Sequence, residues 1–231
     1  MNCAYVTLLA TDDYVYGVLG LNRSLQLVEA FYPLHVIVTD NVASETMALL
    51  DDNNIQYTVF PYKNFEHRNA NYLLTYNKFY AYNLNEYDAI CLIDADAVVM
   101  ENIDRVFEYN PTTLFTPFEE KEIGGHMMLI NPKEYEESDF ETYRTTCADA
   151  NAVFTSVYDL KSCGVFDQSL NASVNHHHDG GRIEGKYWNY FFLDSVDKVR
   201  SFIDRESQNN YSALFFLYEM NEIAYGVHGD I

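Results

Sequence analysis

The sequence predicts an α/β fold in which a mostly parallel β-sheet is flanked by helices. Over the first half of the 231-residue chain, short apolar segments alternate with segments of amphipathic helical spacing. Residues 88–93 are apolar after the first position, and such runs are typical of strands covered on both faces of a parallel sheet. No internal repeat or linker interrupts the chain, so we expect one domain over residues 1–231.

The predicted elements of the first half alternate in type. In order they are a strand at 4–9, a helix at 15–28, a strand at 35–39, a helix at 44–50, a strand at 55–60, a helix at 73–84 and a strand at 88–93. Pro33 is expected to end the first helix. Ser44 is expected to cap the second, because a serine hydroxyl can accept a hydrogen bond from a free amide of the first turn.

The second half is less regular. Residues 114–116 and 127–130 predict further strands, and a helix is expected from Pro132 to about residue 149. Residues 162–185 are rich in Gly, Asn and His and predict irregular structure. We therefore expect an ordered α/β half, residues 1–110, followed by an irregular half, residues 111–231.

Charge and composition exclude several classes of protein. With 14 basic against 35 acidic residues the net charge is −21, which opposes binding to nucleic acid phosphates. An anionic small molecule would need a local cationic bridge such as a divalent metal. The sequence has no apolar run of the roughly 18–20 residues needed to span a membrane, and its start does not resemble a signal peptide. With four scattered cysteines, these features predict a cytoplasmic protein with reduced thiols.

Two aspartates follow the apolar strand at 88–93. Asp94 and Asp96 are separated only by the small residue Ala95, and in an extended chain residues i and i+2 point the same way. Paired carboxylates suit Mg²⁺ or Mn²⁺, which bind carboxylate oxygens together with substrate phosphates. The alternative is a strand that ends in solvent with two exposed acids.

Four segments along the chain form an ordered set: residues 5–14 with Gly17 and residues 24–25, residues 74–79, residues 94–96 continuing into 102–104, and residues 166–168 with 170–171. They occur in the order found in retaining glycosyltransferase family 8, the family of glycogenin, and the chain resembles this family over nearly its whole length. The resemblance implies a single GT-A domain with a Rossmann-like, mostly parallel sheet. Residues 1–110 would form its nucleotide-binding half and residues 111–231 its donor-sugar and acceptor half.

The resemblance also implies roles for individual residues. The residues implied to bind the uracil and ribose are Leu8, Ala10, Thr11 and Tyr14, and those implied to contact the phosphates or sugar are Arg68, Lys78, Ala95, Gly124 and Gly125. Mn²⁺, with Mg²⁺ as the alternative, would be held by Asp94, Asp96 and His228. Catalysis near the anomeric carbon would involve Asp167 and Gln168, with Lys78 on the leaving group.

The chain departs from the family pattern at three places. Gly124, Gly125 and His126 stand where the family usually has Asn-Ser-Gly, so a sugar-hydroxyl contact from that asparagine is absent. Gly164 replaces a common aspartate. The sequence ends at Ile231, before the lysine usual in the family, so either a C-terminal extension is missing or this member lacks that phosphate-binding lysine.

The sequence therefore predicts an enzyme that moves a hexose from a UDP-sugar to a hydroxyl acceptor, a carbohydrate or a protein. The donor stays open among UDP-glucose, UDP-galactose and UDP-N-acetylglucosamine, and the 20 tyrosines make self-glycosylation conceivable. One alternative is a non-catalytic sugar-nucleotide-binding module. Another is a haloacid-dehalogenase-type phosphatase, whose Asp-x-Asp also follows an apolar strand but lies nearer the N-terminus. A homodimer is a further expectation from the resemblance.

Overall fold

The computed structural model describes residues 1–63, 70–95, 97–99, 101–109, 114–119, 122–144, 147, 150–158, 163–166, 170 and 174–176. Its strands are β1 (Cys3–Leu9), β2 (Leu34–Thr39), β3 (Gln56–Phe60), β4 (Ala89–Ile93), β5 (Ala97–Val99), β6 (Leu114–Glu119), β7 (Glu122–Ile130) and β8 (Val174–His176). Its α-helices are α1 (Val15–Leu27), α2 (Ser44–Asp52), α3 (Glu141–Arg144) and α4 (Ala150–Val157). Segments of 3₁₀ turns lie at Asp12–Tyr14, Ala70–Asn83, Asp104–Glu108 and Glu137–Phe140.

Within the described residues, six strands form one sheet in the order β3-β2-β1-β4-β7-β6, and β5 pairs with β8 separately. Strands β3, β2, β1 and β4 are mutually parallel, whereas β7 runs antiparallel to β4 and to β6. The predicted mostly parallel sheet is therefore confirmed. The antiparallel β6–β7 pair was not foreseen as a hairpin, and both of its strands are longer than the sequence predicted.

Each face of the sheet is covered by its own apolar layer. Alternate residues of β1 separate to the two faces, since Tyr5 and Leu9 pack with α1 and α2, whereas Ala4 and Val6 pack on the other face. That second layer is largely aromatic and includes Tyr76, Tyr82, Phe79, Phe140 and Phe154, none more than 2% exposed. Full burial of one such side chain contributes about 1.5–3 kcal/mol. Several of the many tyrosines thus serve the core.

Helix ends differ from the expectations. Helix α1 ends at Leu27, before Pro33, and Glu29 adopts a left-handed conformation with φ of 54°. The amide of Ala30 then donates to the carbonyl of Leu25 at 2.9 Å, the pattern of a Schellman motif. The motif stops the helix locally, so proline is not what ends it.

Two predicted helices take other forms. Residues 73–84 were expected to be α-helical, but Ala70–Asn83 is a run of 3₁₀ turns. The helix expected from Pro132 to about residue 149 is broken into a turn, the 3₁₀ segment Glu137–Phe140 and the short helix α3. In the described part of the chain, no helix is both long and apolar enough to cross a lipid bilayer.

Candidate functional site

The loop that leaves β1 carries the residues predicted to bind a nucleoside. Ala10 is buried and its carbonyl accepts a hydrogen bond from the Asn41 side chain at 3.0 Å, which ties the loop to the end of β2. Leu8 is partly buried against the aromatic layer. The Tyr14 amide donates to the Thr11 carbonyl at 3.2 Å. This turn leaves Tyr14 36% exposed at the carboxyl end of β1.

Asp12, in the same loop, anchors helix α2. Its carboxylate accepts hydrogen bonds from the Thr46 hydroxyl at 2.6 Å and the Ala43 amide at 2.9 Å. These bonds, that of Thr46 first, lower the pKa of Asp12. The expectation that Ser44 caps α2 is wrong, because Ser44 is already helical and the capping position, Ala43, has no side-chain oxygen. Asp12, remote in sequence, instead holds the start of α2 through the Ala43 amide and the Thr46 side chain.

The acidic motif begins where β4 ends. The Asp94 amide donates to the carbonyl of His126 in β7 at 3.0 Å, and the Ala97 amide donates to the carbonyl of Asp94 at 3.0 Å. The second bond closes a turn at Ala95, the acidic turn, so Asp94 and Ala95 do not continue β4 in the extended form that was expected. Ala95 is 7% exposed and packs in the apolar layer below α1. Asp96 lies outside the described residues.

Lys78 forms an ion pair with Asp94. The Lys78 Nζ approaches Asp94 Oδ1, with the two side chains only 11% and 18% exposed. Lys78 belongs to the 3₁₀ segment Ala70–Asn83, which packs across β1 and β2, and Asp94 follows β4. The structure thus brings together two residues predicted separately, one for phosphate and one for metal. Arg68 lies outside the described residues.

Asn77, next to Lys78, holds the chain that leads away from β3. Its Oδ1 accepts from the Lys63 amide at 3.1 Å, and its Nδ2 donates to the Lys63 carbonyl at 3.3 Å. The Tyr80 hydroxyl donates to the Pro61 carbonyl at 2.8 Å. These bonds join the segment carrying Lys78 to the end of β3, and no sequence pattern predicts them.

Ser24, a buried serine of α1, holds the strand that follows the acidic turn. Ser24 of α1 is fully buried, and its Oγ donates to the Leu21 carbonyl at 2.8 Å while accepting the amide of Val99 in β5 at 3.1 Å. Strand β5 follows the turn directly, so Ser24 fixes the outgoing arm of the turn on α1. Ser24 appeared in the sequence only as part of the resemblance.

Further along, residues 102–104 attach the same arm to the end of α1. Asn102 Nδ2 donates to the Val28 carbonyl at 3.2 Å. Asp104 accepts the Phe31 amide at 2.9 Å and the Tyr5 hydroxyl at 2.8 Å. Burial and the Asp104 carboxylate raise the pKa of Tyr5. This part of the motif is structural.

The glycine pair lies in β7 beside the acidic turn. Gly124 pairs with Thr116, but Phe115, the preceding residue of β6, pairs with Met128, so β7 bulges between Gly124 and Met128. Such bulges redirect the backbone and are frequent next to active sites. Gly125 is buried within this bulge.

The remaining predicted site residues fall outside the described part of the chain, namely Arg68, Asp96, Asp167, Gln168 and His228. Among the residues that are described, no three His, Cys, Asp or Glu side chains converge to hold a metal. Asp94 is the predicted metal ligand that the structure places.

Comparison with known proteins defines the class. The profile of Glycosyl transferase family 8 matches residues 5–194. The chain therefore belongs to this family. The match favours the glycosyltransferase expectation over the phosphatase alternative.

Relatives and solved structures agree with this assignment. Galactinol synthase 4 of Arabidopsis thaliana is 37% identical over 111 residues, 46% of this chain and 33% of that protein. Galactinol synthase 1 of Ajuga reptans is 36% identical over 110 residues, 45% of this chain and 33% of that protein. The matched segments thus span about a third of the length of these relatives.

Two solved glycosyltransferases share the fold. The galactosyltransferase LgtC, solved with donor and acceptor sugar analogs, has a TM-score of 0.58 at 13% identity, covering 83% of this chain and 97% of that chain. GlyE of Streptococcus pneumoniae TIGR4 has a TM-score of 0.61 at 10% identity, covering 100% of this chain and 67% of that chain. The predicted GT-A fold is confirmed.

Proposed function

We propose that this chain is a retaining glycosyltransferase that moves a hexose from a UDP-sugar to a hydroxyl acceptor with the help of Mn²⁺. The observation that carries the proposal is the Lys78–Asp94 pair at the carboxyl edge of the parallel strands. Ligands of open α/β sheets bind at this edge. Family membership supplies the reaction class.

The order of the strands matches the order of groups in a nucleotide sugar. The loop after β1 offers an exposed aromatic ring, Tyr14, for the base. The neighbouring strand β4 ends at Asp94, beside the cationic Lys78, where a diphosphate would be attracted. Strand β7, next in the sheet, brings the glycine pair where a sugar would follow. The diphosphate joins the nucleoside to the sugar. The ends of β1, β4 and β7 would therefore contact the nucleoside, the diphosphate and the sugar in that order.

The carboxylate at the acidic turn is a suitable ligand for a divalent metal ion. Asp94 offers a carboxylate oxygen, the ligand type that Mn²⁺ and Mg²⁺ take in proteins, and we propose Asp96 and His228 as its companions. When bound, such an ion would offset the negative charge that develops on the departing diphosphate. Lys78 would add a fixed positive charge in a chain that carries −21 overall.

Calorimetry of UDP with and without Mn²⁺ tests the proposal. Asp94→Asn and Lys78→Met each remove one charge from the pair, and we expect each to weaken metal-dependent UDP binding about tenfold or more, since charge-assisted bonds contribute roughly 1.5–3 kcal/mol. Asp52→Asn, at an exposed position of α2, should bind like the wild type. A UDP affinity that is the same with and without Mn²⁺, and is unchanged by the two substitutions, would contradict the proposal.

A panel of donors tests the transfer itself. UDP-galactose is the first to try, because the relatives include galactinol synthases and a galactosyltransferase by name. UDP-glucose and UDP-N-acetylglucosamine complete the panel, and mass spectrometry of the protein after incubation would detect glycosylated tyrosines.

The glycines at 124, 125 and 164 favour a non-catalytic sugar-nucleotide-binding module as the second candidate function. Release of UDP from any donor, even slow hydrolysis, excludes it.

A further inference from the structure

Helix α4 packs against β7 at a glycine. A Cβ atom added at Gly125 would lie 2.0 Å from Oδ1 and 3.0 Å from Cγ of Asn151, the second residue of α4. Such distances are far below van der Waals contact, so no larger residue fits at 125 without moving the carboxamide. The absent side chain at Gly125 therefore makes the space that the Asn151 amide occupies.

The Asn151 amide has capacity for a ligand. It is partly buried, and its side chain makes no hydrogen bond to any residue in the described part of the chain; only its backbone carbonyl is engaged, by the Thr155 hydroxyl at 2.8 Å. A carboxamide offers two N–H donors and an oxygen acceptor. Groups that both donate and accept, such as sugar hydroxyls, complement it.

Gly125, the residue that the Asn151 amide packs against, lies next to the acidic turn in the sheet. The carbonyl of His126, the residue after Gly125, accepts the Asp94 amide at 3.0 Å, so the space at Gly125 is one residue from the acidic turn. Neighbouring strands lie about 4.8 Å apart. A diphosphate held beside Asp94 would place the attached hexose over β7 and the start of α4.

We propose that Asn151 contacts the hexose of the sugar-nucleotide donor through its hydroxyls and is a determinant of donor specificity. The inference rests on the proposed function. Since Gly124 and Gly125 carry no side chain at this point of β7, the polar group facing the hexose comes from α4. The residue binds substrate, and the chemical step is left to others.

The first test is Asn151→Ala. Loss of one or two hydrogen bonds should lower kcat/KM for donor hydrolysis or transfer about tenfold, mainly through KM, and should change the ratio of rates with the epimers UDP-galactose and UDP-glucose. The affinity for UDP, which lacks the hexose, should stay within about twofold of wild type. Ser156→Ala, which removes a hydroxyl bound to the Ala152 carbonyl on the same helix, is the matched control and should change neither value.

The second test uses Gly125→Ala, whose methyl group should displace the amide and lower kcat/KM similarly. In the Asn151→Ala background the amide is already gone, so the added methyl should have little further effect. Residues that act through one contact are non-additive in this way. Thermal unfolding of each variant checks that the comparison is made between folded proteins.

The outcomes separate this inference from the proposed function. If the wild type neither binds UDP nor cleaves any donor of the panel, the proposed function fails and this inference with it. If the wild type is active, equal donor kinetics for wild type and Asn151→Ala overturn the inference alone. Parallel losses of UDP and UDP-sugar affinity, or effects of Gly125→Ala and Asn151→Ala that simply multiply, also overturn it. A donor-selective, non-additive loss is the expected result.

Discussion

His35 is held inside the fold with both of its ring nitrogens engaged. Nδ1 lies 2.8 Å from the Tyr87 hydroxyl and Nε2 lies 2.9 Å from the Thr58 hydroxyl. Burial lowers the pKa of His35, and only the charge of Glu86 opposes this. The neutral imidazole can donate to one hydroxyl and accept from the other, whereas the imidazolium would need two acceptors.

Stability should therefore decrease in mild acid. The unfolded chain takes up a proton at His35 near the ordinary pKa of about 6.5, whereas the folded protein takes it up only at lower pH. Below that value the unfolded state binds more protons, so the free energy of unfolding falls as pH decreases, by up to about 1.4 kcal/mol per pH unit. We expect this fall in urea titrations from about pH 7.5 to about pH 5.

The control is His35→Gln, which keeps a donor and an acceptor but does not titrate. The difference in unfolding free energy between wild type and variant should decrease as the pH is lowered, and a difference independent of pH would contradict the assignment.

Asp12 and Asp88, whose pKa values are lowered by hydrogen bonds from Thr46 and Lys133 respectively, stabilise the fold above their ordinary pKa. Their contribution is lost only in stronger acid, so it does not overlap the window of His35.

The ion pair between Lys78 and Asp94 joins two residues whose roles were predicted separately. The sequence predicts a phosphate contact for Lys78 and a metal ligand at Asp94, but the two residues are far apart in the chain. In the structure they pair, with little exposure of either side chain. Removing one partner of such a pair leaves the other charge poorly solvated. The pair explains how a lysine is kept close to the acidic turn.

At the scale of elements, α1 is the platform for the acidic turn. Ser24 holds β5 through the Val99 amide, and Asn102 with Asp104 attaches the following segment to the end of the helix. The turn between β4 and β5 is therefore fixed on both sides, by the sheet before it and by α1 after it. Rigid support of this kind keeps binding groups in place.

We expect Ser24→Ala to lower the free energy of unfolding by about 1–3 kcal/mol, because the buried Val99 amide loses its acceptor. Metal-dependent UDP binding should weaken as well, since the turn loses its outgoing anchor. Urea unfolding and calorimetry measure the two effects. Ser44→Ala, which removes an exposed hydroxyl that donates to its neighbour Glu45, should stay within about 0.5 kcal/mol of wild type. Equal stability of the two variants would show that Ser24 anchors nothing.

For the whole molecule, the dominant electrostatic fact is the net charge of −21. Ion pairs such as Lys63–Glu137 and Lys133–Asp88 engage some acidic groups, but the 35 acidic residues far outnumber the 14 basic ones. The excess negative charge repels itself most strongly in the compact state. Salt shortens the range of this repulsion, to about 10 Å at 0.1 M ionic strength.

The midpoint of thermal unfolding should therefore rise when NaCl is increased from about 0.02 M to about 0.2 M. Differential scanning fluorimetry at fixed pH is sufficient for the measurement. A sucrose series serves as the control, because sucrose stabilises compact states without screening charge. A midpoint that falls with NaCl would mean that the attractive pairs outweigh the net repulsion.

Much of the architecture could be predicted because local rules decided it. The strands at β1, β2 and β4 follow from apolar runs bounded by polar turns, and α1 follows from its helical spacing. The resemblance over four ordered segments was sufficient for the family. Residues 73–84 and 132–149 were misjudged, because helical periodicity does not distinguish an α-helix from 3₁₀ turns packed against a sheet.

The order of residues along the chain was sufficient to predict the α/β class, the acid at the end of β4 and the family. Tertiary structure alone decided which groups meet: Lys78 with Asp94, Asp12 with the start of α2, Ser24 with β5 and Asn151 with Gly125. The physical reason is that each of these contacts joins two elements. Their partners are selected by how the elements pack, which local composition and periodicity do not encode.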